Sequence, residues 1–175
     1  MSCCSSKSEE ACAVRLPALQ TCPRCGRKGR PVQNRTLEYL LREPNPRLLA
    51  GGPFFFCPTS DCAVVYFSGD GGSLFEKPDL TVPVGIKETE DPIPVCYCFD
   101  HTRASIWEEI ERSGRSTVVE SIKRAVQEGR CECEIKNPSG RCCLGDVTQT
   151  VKQGLEHSPS RSQSSRRPGD LGGEN

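Results

Sequence analysis

Thirteen of the 175 residues are cysteine, against two histidines and one methionine, so thiolate is the dominant metal ligand this chain offers. Most of the cysteines come in close pairs. In Cys22-Pro-Arg-Cys25-Gly26 the C-x-x-C spacing lets two thiolates reach one ion from the same side, while Gly26 lets the backbone turn beneath it. Cys57-Pro-Thr-Ser-Asp-Cys62 supplies a second pair across an intervening insertion. Four thiolates at tetrahedral spacing suit zinc, and a closed four-thiolate site leaves no position for water. Its expected role is to hold a weakly cored domain together rather than to activate a nucleophile.

A second set of thiols follows. Cys96-Tyr-Cys98 precedes a helical stretch, and Cys131-Glu-Cys133 and the adjacent Cys142 and Cys143 follow it. Thiolates at both ends of a helix pair can converge on one site. A two-iron cluster takes two thiolates per iron and is well held where amides near helix starts point at its negative charge. Spacing alone fits either such a cluster or a second zinc ion.

The elements that must position these thiols are legible from pattern. Residues 54–57 and 63–67 are aromatic and β-branched runs bounded by Gly-Gly-Pro and Gly-Asp-Gly-Gly, which predicts a β-hairpin around the second cysteine pair. Thr102 can cap a helix with Ile106, Trp107 and Ile110 on one face, ended by Gly114. Thr117 and Glu120 fit a capping box opening a second helix, with Val118, Ile122, Ala125 and Val126 at helical spacing and Gly129 at its C-terminal cap. The turn signal at Asn137, Pro138, Ser139 and Gly140 folds the chain back toward Cys142 and Cys143. Trp107 reads as packing and His101 as an exposed residue at a helix start.

The predicted class is α+β: a small zinc-ribbon-like β half followed by a short helix-turn-helix half, with disordered termini. Residues 1–18 form a flexible arm carrying Cys3, Cys4 and Cys12, residues 19–92 the β domain, residues 93–148 the helical domain, and residues 149–175 a Ser-, Arg- and Gly-rich tail. The boundary falls at the Asp-Pro-Ile-Pro stretch, residues 91–94. Cys3, Cys4 and Cys12 offer soft sulfur to a thiophilic ion such as Cu(I), although a plain disordered arm is the stronger reading.

Composition narrows the function. Lys plus Arg and Asp plus Glu number 23 each, so no net field draws the chain to nucleic acid or an anionic membrane. Arg24, Arg27, Lys28 and Arg30 beside the first knuckle read as a solvated face ahead of a nucleic-acid-binding zinc ribbon. No secretory signal or membrane-length apolar run stands out, which places the chain in a reducing cytoplasm where clustered cysteines bind metal rather than form disulfides. Nothing in the sequence forms a Ser/His/Asp set, an open zinc site, a phosphate loop or a carboxylate pair, and a hydrolytic enzyme is not expected.

From Cys22-Pro-Arg-Cys25 through FFFCPTSDCAVVYF, VGIKE, VCYC and NPSGRCCLG, in that order, the sequence resembles the N-terminal domain of CopZ-type copper chaperones. Its helical half is similar to bacterioferritin-associated ferredoxin, which also opens with C-x-C before a helix pair. The resemblance implies a zinc ion on Cys22, Cys25, Cys57 and Cys62. It also implies a 2Fe-2S cluster on Cys96, Cys98, Cys133 and Cys143, with Cys142 as the alternative fourth ligand. Cys131 is left without a role. The implied function is single-electron transfer linked to copper or other metal handling, with a redox donor or metal-handling protein as partner. The alternative is a non-catalytic, metal-responsive interaction module. Met1 is the only methionine, so the M-x-C-x-x-C copper loop found in full-length chaperones of this type is not expected.

Overall fold

Phe54, Phe55 and Phe56 are all buried, which is possible only where both faces of a strand are covered. The computed structural model describes residues 20–49 and 52–157 and divides into two units. The first holds its described residues up to Glu88 together with Cys133–Arg141; the second holds Thr89–Glu132 and the described residues from Cys142 onward.

The first unit is organised by an antiparallel sheet of β1 (Arg30–Val32), β2 (Phe54–Phe56), β3 (Val64–Ser68) and β4 (Leu74–Glu76), in that spatial order. The hairpin of β2 and β3 pairs Phe55 with Phe67 and Phe56 with Tyr66, as the alternating apolar runs predicted. Alternation sends Phe54 and Phe56 into a cluster with Val32, Leu37, Leu41, Leu49, Leu80 and Val84. Phe55 and Cys57 go to the opposite face with Cys22, Cys62, Val64 and Phe67. The register of β3 against β4 shifts between Val64 and Tyr66. Val65 and Tyr66 then both join the Phe54 cluster, as a bulge permits.

The half expected as strands also contains helices. Between β1 and β2 run α1 (Asn34–Leu40) and α2 (Pro46–Leu49), and α1 buries Thr36, Leu37 and Leu40. The segment Cys133–Arg141 includes α5 (Cys133–Lys136) and is fastened to the same unit by three side chains. Thr36 donates its hydroxyl to the Glu134 carbonyl at 2.6 Å, Arg35 pairs with the Glu134 carboxylate, and the buried Tyr66 hydroxyl donates to the Pro138 carbonyl at 2.7 Å. Asn137 closes the predicted turn by accepting from the Ser139 backbone at 3.0 Å and donating to the Arg141 carbonyl at 2.8 Å.

In the second unit a short ribbon of β5 (Pro94–Cys96) and β6 (His101–Thr102) leads into α3 (Arg103–Ser113), α4 (Val118–Gln127) and, after the excursion through α5, α6 (Leu144–His157). Thr102 caps α3 by accepting from the Ser105 amide, and Gly114 ends it at φ 73°, the left-handed conformation that glycine tolerates best. Gly129, at φ 68°, follows α4 with Arg130 donating to the Ala125 carbonyl at 2.9 Å. The capping box expected at Thr117 does not form. Thr117 directs its hydroxyl to Glu109 of α3 at 2.7 Å, and the Val118 amide is met by the Ser116 hydroxyl at 3.2 Å.

Residues 149–157, expected as the start of a tail, belong to α6, which continues to His157. Its inner face is Val147, Thr150 and Gly154, a stripe too poor in large apolar residues to stand out as periodic. Trp107 explains it: the indole N–H donates to the Thr150 carbonyl at 3.1 Å and the ring stacks on His157 at 5.7 Å. The arm of residues 1–18 with Cys3, Cys4 and Cys12, and the tail past His157, lie outside the described residues. Among the described residues no helix is long and apolar enough to cross a membrane.

Candidate metal centre

The first knuckle is shaped by its backbone. Cys22 donates to the Arg27 carbonyl at 2.7 Å and Gly26 to the Cys22 carbonyl at 2.8 Å, with Gly26 at φ 69° in the left-handed turn the loop needs. A Cβ on Gly29 would lie 2.4 Å from the Phe67 ring and 2.8 Å from Phe55 Cβ. Glycine is therefore what lets the knuckle settle on the stacked Phe55–Phe67 pair, whose ring centroids are 5.5 Å apart. Cys57 continues directly from β2, its amide donating to the Val65 carbonyl at 2.9 Å, and Cys62 is turned inward where its amide meets the Thr59 carbonyl at 3.3 Å.

These two turns bring Cys22, Cys25, Cys57 and Cys62 together, with all four sulfurs within 4.8 Å of one another. Cys22 and Cys62 are 4.0 Å apart and Cys25 and Cys57 3.6 Å apart. A tetrahedron with zinc–sulfur bonds of ~2.3 Å has edges of about 3.8 Å, so the donor set fits a four-thiolate zinc site. Cys22, Cys57 and Cys62 are buried and Cys25 is exposed.

The thiols differ in acidity for physical reasons. The Thr59 hydroxyl beside Cys25, at 3.4 Å, is the main influence lowering that thiol to about 6. Burial pushes Cys57 up to about 12 and Cys62 upward. A divalent ion held by these four residues would favour the thiolate at each of them, overcoming the effect of burial at Cys57 and Cys62.

The second set is arranged differently. Cys96 ends β5 and is buried, Cys98 is half-buried in the turn that follows, and the Glu132 amide donates to the Cys98 sulfur at 3.3 Å. Cys143 is buried at the start of α6, where its carbonyl accepts from Val147 at 2.9 Å, while Cys142 is exposed. Cys133 opens α5 and is buried. Cys131, for which the sequence suggested no use, has its sulfur within 4.8 Å of that of Cys98. Its C-x-C spacing with Cys133 was the available signal. His101 is half-buried in β6, and so less exposed than its place at a helix start suggested.

Similarity to known proteins extends over most of the chain. The CopZ family model described as a zinc binding domain matches residues 19–81, which include all four cysteines of the first centre. The chain is 36% identical over 125 residues to the copper chaperone CopZ of Archaeoglobus fulgidus, spanning 71% of this chain and 58% of that protein's length. The X-ray structure of the Archaeoglobus fulgidus CopZ N-terminal domain superposes with a TM-score of 0.62 at 36% identity, covering 74% of this chain and 96% of that one. With nearly the whole of that solved domain matched, in a small α+β fold carrying clustered cysteines, the chain belongs to the family of the CopZ N-terminal domain.

Proposed function

We propose that this chain is a non-catalytic metal-handling module whose zinc ion, held by Cys22, Cys25, Cys57 and Cys62, fastens its two knuckles together. The observation that carries the reading is the convergence of the four sulfurs to within 4.8 Å on a sheet face also lined by Phe55, Val64 and Phe67. Four thiolates fill zinc's coordination shell, so the ion contributes folding energy and no nucleophile. Metal analysis of the purified chain tests this. About one zinc per chain is expected, and its replacement by Co²⁺ should give the intense sulfur-to-metal charge-transfer bands of a tetrahedral thiolate site. Absence of zinc after loading under reducing conditions would overturn the reading.

A second centre fits the same module. Cys96, Cys98, Cys133 and Cys143 would bind a 2Fe-2S cluster, with Cys142 as the alternative fourth ligand. The burial of Cys143 beside the exposed Cys142 favours Cys143, since a cluster is tuned by exclusion of solvent and by hydrogen bonds to its sulfurs. The amide donated to Cys98 is a bond of that kind. On this reading the helical half, similar to bacterioferritin-associated ferredoxin, passes single electrons in support of metal handling. Copper is the cargo suggested by the name of the Archaeoglobus relative, and the partner is a redox donor or another metal-handling protein of the cytoplasm. Anaerobic purification with absorption spectra and iron and sulfide analysis decides it. Two irons and two sulfides per chain support the cluster, and zinc in both centres without sulfide leaves the interaction module alone.

A further inference from the structure

Lys87 is 6% exposed, at the end of the 3-10 turn Gly85–Lys87. Its ammonium donates to the Thr59 carbonyl at 2.6 Å and to the Cys62 carbonyl at 2.9 Å. Both acceptors lie in the second knuckle. Thr59 is also the residue whose hydroxyl meets the Cys25 sulfur, at 3.4 Å. Among the described residues no carboxylate pairs with Lys87. The nearest in sequence, Glu88, is taken by Lys77 at 3.1 Å and by the Val84 amide at 3.3 Å.

A buried ammonium is costly unless an opposite charge compensates it, and two neutral carbonyls do so only in part. If pinning the turn were all that was needed, a neutral amide or hydroxyl would do it with less desolvation. The first knuckle offers positive charge too, but Arg24, Arg27 and Lys28 are exposed, where solvent screens them. A zinc-loaded centre would supply a compensating anion, since four thiolates around one divalent ion carry a net charge of about −2. We propose that Lys87 is the buried counter-cation of the four-thiolate centre, a positioning residue that holds the Thr59–Cys62 turn and sets how tightly the centre keeps its ion. This inference rests on the zinc reading above.

The test uses the full chain and zinc competition against a chromogenic chelator at fixed pH and ionic strength. Lys87→Met and Lys87→Gln are measured alone and in a Cys25→His background, where the net charge of the centre falls to about −1. Loss of a group that supports metal ligands typically costs 10–100-fold in affinity, so each single variant should bind zinc about tenfold or more weaker. In the Cys25→His background the loss should shrink to about half on a logarithmic scale, because the attraction scales with the charge of the centre. Circular dichroism at saturating zinc checks the fold, and Lys87→Gln, which keeps amide donors without charge, carries the result if Lys87→Met does not fold. Zinc binding by Lys87→Gln within about twofold of the unsubstituted chain, or an equal loss in both backgrounds, overturns the proposal. An unsubstituted chain that holds no zinc instead defeats the metal reading on which it rests.

Discussion

Cys57 and Cys142 are opposite cases of the same side chain. Cys57 is buried with its thiol held up to about 12 by desolvation, and Cys142 is exposed. Cys57→Ser is expected to abolish stable zinc retention on gel filtration, whereas Cys142→Ser should keep about one zinc per chain, as a four-thiolate site outside Cys142 requires. Gly154 offers a test of packing. A Cβ there would lie 2.6 Å from Trp107 Cδ1 and 2.7 Å from Ile110 Cδ1; the isoleucine methyl can turn aside, but the indole is held by Thr150 and His157. Gly154→Ala should therefore lose about 1–2 kcal/mol in urea unfolding, the overpacking cost exceeding the helix-propensity gain of about 1 kcal/mol. The knuckles were legible in the sequence because thiol spacing and turn residues are local. Lys87 and Thr59 were not, because each acquires its neighbours only when distant segments meet.

At the scale of elements, the start of α4 shows why a local signature can be present and unused. Thr117 has the residue three positions on that a capping box needs, yet its hydroxyl and amide both go to the Glu109 carboxylate, at 2.7 and 3.1 Å. Ser116 donates to the other carboxylate oxygen at 2.7 Å. Those bonds, led by Ser116, hold the Glu109 carboxyl below its ordinary value. A group whose folded value is depressed stabilises the fold above its unfolded value and loses that contribution as pH falls through the folded one. Glu109→Gln should lower the stability by about 0.5–1 kcal/mol at neutral pH, in the range of an exposed cap. The deficit should shrink once pH falls below the ordinary glutamate value of about 4.3 and vanish only below the depressed folded value, which thermal unfolding across pH measures. The β2–β3 hairpin and α3 announced themselves through period and caps. In contrast, α1 follows Gln33, which makes no side-chain cap bond, and α6 buries a threonine and a glycine, so neither had a pattern strong enough to read.

Over the whole molecule, the first unit should depend on its ion and the second should not. Removing zinc with a chelator under reducing conditions is expected to raise amide exchange in β2, β3 and both knuckles well before it does so in α3 and α4, as hydrogen-exchange mass spectrometry would show. Uniform exchange in both units would count against a zinc-stapled first unit. Tyr66→Phe leaves the Pro138 carbonyl without its hydroxyl donor. That should cost about 1–2 kcal/mol and open residues 133–141 to proteolysis while zinc is retained.

The path of the chain through α5 bears on inheritance as well as on folding. Cys133–Arg141 is counted with the first unit although the second precedes and follows it, so no single cut in the gene separates one unit from the other. Recombination at one crossover near residue 88 would strand the Tyr66 hydroxyl and the Thr36–Glu134 tie. Such a chain travels between proteins as one cassette, whereas units joined end to end can be shuffled separately. A fusion that borrows only the zinc knuckles has to graft this returning segment as well.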